Sequence, residues 1–322
     1  MLRPVIRDIL LSAITSDSSP IAALRRWKLR FYMERMHFRF RATALGMPAL
    51  SNALLGFRSV VAPHRTLLTY PAVPELGHVL GKLCALLGYV CTNDPKSEFD
   101  VAWYFEDTTC SAGSLPVDVD PARTFNARCL NIGKGYIAQV FKEVFGYSLA
   151  IDPTSYVGLA AVKSNQNALH DGRTIRCPIA PTNVRANCVY QQLVVNETGD
   201  GTVSDLRVVI HRGRLPLVYR KFRPTETRYS NTNERAELCQ PEGVFSVDER
   251  VQLLRFAEKI GMDFGEADVL RDRNSGKIYV VDANNTPTGP PNGLSEQDSA
   301  RAFHILLESF HQLLTAYPNH DA

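Results

Sequence analysis

Apolar residues in FSVDERVQLLRFAEKIGMDFG (245–265) recur at helical spacing. Leu253, Phe256, Ala257 and Ile260 stand at i, i+3, i+4 and i+7, one stripe of an amphipathic helix. Ser246 and Glu249 have capping-box spacing, and Gly261 stands where a left-handed residue ends a helix. A second helix is predicted over GKGYIAQVFKEVFGYSL, stopped by Gly146, and a third over ELGHVLGKLCALLGYVCT, ending near Gly88. Between them lie β-rich runs: RTLLTYP, DVAWYFED, YVGLAAVKS, CVYQQLVVN, DLRVVIHRG and LPLVYRKFR, bounded by Gly, Asp and Asn.

The order of these elements divides the chain. Residues 59–125 alternate strand and helix, the rhythm of a small α/β layer that leans on the larger unit after it. Residues 126–318 carry long strand candidates joined by turns and mixed with helices, an α+β arrangement. Residues 1–58 read as a helical extension, with no glycine between Ile21 and Gly46.

Charge separates the extension from the rest. The net charge is +3, but residues 1–60 hold ten Lys/Arg against three Asp/Glu, about +7, so the remainder is about −4. A basic amphipathic helix can lie on an anionic membrane surface, grip nucleic acid, or pack on the body with its arginines in water. The other totals, 45% hydrophobic and 21% charged, describe an ordinary globular chain of 322 residues. Seven scattered cysteines without a CxxC pair argue against a zinc site and a disulfide framework and suit a reducing cytoplasm. No run approaches the apolar length of a membrane span.

The candidate chemistry lies in GEADVLRDRNSGKIYVVDANN (265–285). Read as a hairpin with the three-residue loop Asn274-Ser275-Gly276, it sets Asp268 opposite Asp282 and Glu266 opposite Asn284. Asp282 and Asn284, two apart, share a face at about 6–7 Å. Facing carboxylates repel unless a cation lies between them. Hard oxygens without histidine or cysteine suit Mg²⁺, or Mn²⁺, against the plainer alternative of a solvated strand end. Lys163 closes a strand just before the polar loop SNQNALHDG, where a charge and backbone N–H groups can meet a phosphate; a surface lysine beside a turn is the alternative. The loop's His170 can order that turn or act on a phosphate, against the plainer alternative of a turn histidine with no catalytic role.

In this order the pieces resemble the ATP-grasp superfamily, nearest to its glutamate-ligase-like and glutathione-synthetase-like branches. They are NIGKGY, VKSNQNALHDG, YQQLV, DLRVVIHRG, YRKFRPTETRYSN and GMDFGEADVLRD…GKIYVVDANNTP, and they cover roughly residues 126–295. The resemblance implies a two-lobed antiparallel-sheet domain, with a nucleotide lid over 126–190 and a metal and substrate lobe over 191–318. Residues 59–125 become its pre-grasp domain. It places Lys134 and Lys163 on ATP phosphates, the hinge Gln191, Gln192, Leu193 and Val194 on adenine through backbone hydrogen bonds, and Asp205 near the ribose or metal-phosphate region. Asp268, Asp282 and Asn284 become the magnesium ligands. Arg207, Arg220 or Lys221, and Arg228 face the γ-phosphate or an anionic substrate. Two positions depart from the pattern: the hinge has glutamine where glutamate is common, and Asp282 stands where glutamate is usual.

The activity implied is phosphoryl transfer from ATP to a carboxylate, followed by attack of an amine or other nucleophile. The alternatives are a kinase acting on a hydroxyl and a non-catalytic scaffold presenting the basic helices. Residues 211–235 hold six arginines, Lys221 and His211 against Glu226 and Glu234. Without interleaved stacking aromatics, that density suits a compact anionic substrate rather than nucleic acid. TPTGPPNG (286–293), rigid at its prolines, is expected to border the substrate pocket.

Overall fold

The structure, a computed structural model, describes residues 65–169 and 171–315. The helical extension expected over 1–58, with its membrane-surface reading, and His170 lie outside the described residues.

The first sheet is parallel, in the order β2-β1-β3-β4, from β1 (Thr66–Pro71), β2 (Val90–Thr92), β3 (Val101–Phe105) and β4 (Thr124–Phe125), with α1 (Val79–Leu87) between β1 and β2. Gly88, left-handed at φ 72°, caps α1 and returns its N–H to Cys84. After α2 (Lys134–Phe145), β5 (Gly158–Ser164), β6 (Arg173–Cys177) and β7 (Cys188–Gln192) form an antiparallel sheet in the order β6-β5-β7. The largest sheet is antiparallel, β10-β9-β8-β11-β12. Its strands are β8 (Thr202–His211), β9 (Val218–Pro224), β10 (Arg235–Cys239), β11 (Phe264–Arg271) and β12 (Ile278–Asn284). Between β10 and β11 runs α3 (Val247–Lys259), with the expected Ser246–Glu249 capping box formed. The last element is α4 (Glu296–Thr315). The whole is an α+β architecture.

Each face of the largest sheet has its own core. On one side α2 and α3 bury Ile137, Phe141, Leu253 and Phe256 against Val208, Ile210, Ala267 and Val269. On the other, Val209, Leu217, Tyr219 and Phe264 pack into a cluster that also holds Leu67, Leu83 and Trp103 of the first sheet layer and Phe303, Leu307 and Phe310 of α4. The first sheet therefore shares its core with the largest sheet and α4. Trp103 stacks on Phe125 at 4.8 Å and meets Phe264 edge-on at 5.1 Å between ring centroids.

On that second face the strands change character along their length. Leu217 and Tyr219 give way to Lys221 and Arg223; Val209 to Arg207 and Asp205; Phe264 to Glu266 and Asp268. Period-2 alternation keeps each series on one side of the sheet, so the apolar core grades directly into a charged floor. No described helix is long and apolar enough to cross a membrane.

Candidate functional site

The charged floor, β5 and β7 of the three-stranded sheet, and the segment after β3 enclose a cleft of about 330 Å³. Lys134, Lys163, Gln191–Val194, Asp205, Arg207, Lys221, Arg228, Asp268, Asp282 and Asn284 line it, so all but one of the expected site residues meet there. The exception is Arg220. It is not among the lining residues and lies 3.9 Å from Glu237 on β10, because alternation on β9 turns Lys221 and Arg223 inward instead.

The hairpin reaches its expected register by an unexpected route. Arg271 pairs with Ile278 and Asp272 N–H donates to Lys277 O, so the turn is one residue longer than a three-residue loop. A bulge at Val281 absorbs the difference: Val269 faces Val280, yet Asp268 faces Asp282 and Glu266 faces Asn284.

The two facing aspartates are compensated by the protein's own cations. Asp268 accepts Arg207 Nε at 2.9 Å and Nη2 at 3.2 Å, and Lys221 Nζ at 2.9 Å. Burial works against its charge, but Arg207 and Lys221 outweigh burial and hold its pKa well below the usual range. Asp282 is more weakly held, by Lys134 Nζ at 3.6 Å and the Ala283 N–H at 3.1 Å. Burial raises its pKa, with Lys134 offsetting part of the effect. Burial likewise pushes Glu266 up to about 7 against the pull of Arg207, and its Oε2 is buried without a hydrogen-bond partner. Burial lowers the Lys163 and Lys221 ammonium pKa values against the pull of nearby carboxylates.

Among the described residues no group of three His, Cys, Asp or Glu side chains is arranged to hold a metal ion. Three of the roughly four lone-pair positions on Asp268 are already taken by cationic donors. Asn284 Oδ1 accepts both the N–H and the hydroxyl of Thr286, at 2.9 and 3.3 Å. The expected three-ligand nest is thus not pre-assembled. Its donors still suit a hard divalent ion, since Asp282 is under-compensated and Glu266 Oε2, 3.5 Å from Arg207 Nε and without a hydrogen bond, lines the same cleft.

The hinge differs in detail from expectation. Gln192 N–H is committed to Leu149 O at 2.8 Å and Leu193 N–H to Leu159 O at 3.1 Å, while Val194 O accepts Arg228. Asp205 binds Arg223 at 2.9 Å and Asn196 at 3.0 Å; Arg228 binds Glu197 at 3.1 Å. Ala161, Leu149, Leu270 and Val281 give the cleft an apolar lining. Lys134, at the start of α2, donates Nζ to Gln166 O at 2.8 Å and so ties the polar loop after β5 to the floor.

Sequence reasoning set Glu266 opposite Asn284 but gave it no role, and it missed Arg223, His78 and Asp107; all four line the cleft. Arg223 was legible, two residues beyond Lys221 on one strand face. His78 and Asp107 come from the first sheet layer and carry no local signal. The TPTGPPNG loop borders the cleft as expected, through Thr286 and Thr288. It is docked on α1: Val79 N–H donates to Pro287 O at 2.8 Å and Lys82 Nζ to Thr288 O at 2.5 Å.

No family model and no curated protein matches the chain. Solved structures that are similar to it include the ATP-grasp ligase PsnB complexed with minimal precursor, Mg and ADP, at 16% identity and TM-score 0.41, covering 60% of this chain and 62% of that one. The chain therefore spans about three fifths of PsnB. A RimK domain ATP-grasp protein from Sphaerobacter thermophilus is similar at 13% identity and TM-score 0.42, over 79% of this chain and 100% of that one. The macrocyclase MdnC from Microcystis aeruginosa, bound with precursor peptide MdnA, is similar at 11% identity and TM-score 0.38, over 76% and 99%.

Proposed function

We propose that the chain is an ATP-grasp enzyme joining a carboxylate to an amine or other nucleophile, with ATP as the second substrate and an acyl phosphate as the intermediate. The observation that carries this reading is the cleft in which Lys134 and Lys163 face the Asp268–Asp282 pair beside an apolar lining. Lys163, whose charge burial disfavours, gains from an anion, and the under-compensated Asp282 gains from a cation. A nucleoside triphosphate with its divalent ion supplies both, and its base would lie against the apolar lining at Ala161 and Leu270.

Lys134 and Lys163 would hold the phosphate oxygens. Arg207 and Lys221, anchored by Asp268, would present positive charge to the carboxylate that receives the phosphoryl group. Both reactants are anionic, so fixed cations in the cleft lower the barrier by countering their repulsion. Asp282, Asn284 and Glu266 would hold Mg²⁺, which when bound neutralises developing phosphate charge. The loop after β5, tied down through Lys134 Nζ and by Asn167 N–H donating to Thr109 Oγ1 at 2.9 Å, excludes water from the acyl phosphate. The small anionic substrate would reach this point past Thr286 and Thr288.

ADP release in Mg-ATP tests the reading, with the twenty amino acids and short acidic peptides as carboxylates, each with and without hydroxylamine as nucleophile. Acid-dependent release that yields hydroxamate supports ligation. Release driven by an alcohol without any acid makes the enzyme a kinase, and no Mg-ATP binding in thermal shift makes it a scaffold.

A further inference from the structure

One wall of the cleft comes from the first sheet layer, and its polar groups have no part in the phosphoryl chemistry above. His78 precedes α1 and Asp107 follows β3 by two residues. His78 Nε2 stands 4.0 Å from Asp107 Oδ2. A direct hydrogen bond would close this gap to about 2.7–3.2 Å. A nitrogen placed about 2.9 Å from both atoms would subtend about 90° between them, a spread that adjacent N–H bonds of an ammonium group span with modest bending.

The surroundings fix the pair. The other Asp107 oxygen accepts the Thr286 hydroxyl at 3.0 Å, and Thr286 in turn bonds Asn284 on the hairpin floor. Phe105 stands edge-on to the imidazole at 5.2 Å between centroids, and His78 Nδ1 is buried without a hydrogen-bond partner. The 4.0 Å gap thus opens on the cleft one threonine away from the candidate metal ligands.

We propose that Asp107 and His78 receive a primary ammonium group, that of the incoming nucleophile. This rests on the ligase reading and specifies its second substrate as a primary amine. Asp107 Oδ2 accepts one ammonium N–H, and His78 Nε2 takes one proton to free the lone pair. The nitrogen then attacks the acyl carbon. The C–N bond forms, the C–O bond to phosphate breaks with its electron pair going to phosphate, and the remaining surplus proton leaves on that phosphate. Amide and hydrogen phosphate result, His78 gives its proton up to solvent, and no other reactant is needed.

The test uses the full chain with ¹³C-labelled histidine, titrated with methylammonium chloride in the presence of Mg-ADP. The His78 signal is assigned by its loss in His78→Gln. A saturable shift of that signal is expected, weakened at least about tenfold in Asp107→Asn, with tetramethylammonium, which has no N–H, producing none. No saturable shift, an equal shift in Asp107→Asn, or an equal response to tetramethylammonium overturns the proposal. Asp107 is 74% exposed in its side chain, so its isosteric replacement leaves the fold intact. A protein that passes this titration but never turns over ATP loses the ligase reading and keeps the ammonium site. One that forms hydroxamate but fails the titration loses the ammonium site alone.

Discussion

Asp268 and Asp282 face each other across one hairpin but answer to different cations: Arg207 and Lys221 hold Asp268 at 2.9 Å each, whereas Lys134 stands 3.6 Å from Asp282. The first aspartate anchors the floor, and the second is available to a ligand. Asp268→Asn leaves the buried Lys221 without its carboxylate and Arg207 with only Glu266, 3.5 Å away, and should destabilise the fold by about 3–5 kcal/mol. Asp282→Asn should cost less than about 1 kcal/mol. Urea unfolding of both variants at pH 7 measures the contrast, and equal losses would refute the division of roles.

Turnover should rank the same residues differently. Asp282→Asn and Lys163→Ala are each expected to lower ADP release at least about a hundredfold, the scale of losing one charge-stabilising group. Near-normal rates in either, with unchanged melting, would remove the assigned site.

Arg220 and Arg223 separate by strand face alone. Arg220→Ala should leave kcat/KM for ATP within about twofold, while Arg223→Ala, which frees Asp205 in the cleft wall, should lower it at least about tenfold.

His211 gives a pH signature outside the cleft. It is buried, stacks on Phe264 at 4.6 Å and bonds Ser309 at 2.8 Å. Burial lowers its pKa from 6.5 to about 3. Unfolded chains therefore bind more protons between those limits, and stability falls as pH drops through that window, by up to about 1.4 kcal/mol per pH unit. In urea melts between pH 7 and 4.5, the stability gap between wild type and His211→Gln should narrow toward acid. A constant gap would show that the imidazole is protonated in place.

Two left-handed glycines have different surroundings. A Cβ on Gly276, at φ 71°, meets nothing within 4 Å, whereas on Gly261, at φ 73°, it would lie 2.6 Å from the Arg128 backbone carbon. Gly276→Ala should cost about 1–2 kcal/mol from backbone conformation alone. Gly261→Ala, with the clash added, should cost at least about 3 kcal/mol, read by the same urea melts.

Much of the architecture is written locally. The capping box of α3, the Gly88 and Gly146 stops and the facing of Asp268 with Asp282 follow from short-range pattern. The hairpin register came out correctly although its turn is one residue longer than expected, because the Val281 bulge compensates; nothing in the alternation VVDAN announces it. Local pattern could not reveal which cations neutralise Asp268, since Arg207 and Lys221 arrive from other strands, and it could not bring His78 and Asp107 to the cleft. Arg223 was legible by alternation, and so was the apolar stripe of α4, Ala302, Phe303, Leu306, Leu307 and Phe310.

That stripe has a temporal consequence. Translation delivers β1 to β4 early, but Leu80, Leu83 and Trp103 gain their full cover only when the last described helix is made, since Phe303, Leu306, Leu307 and Phe310 belong to the same cluster. The first described sheet therefore lacks that cover while everything between Phe125 and Glu296 is added, a stage at which exposed strands invite chaperones or wrong partners.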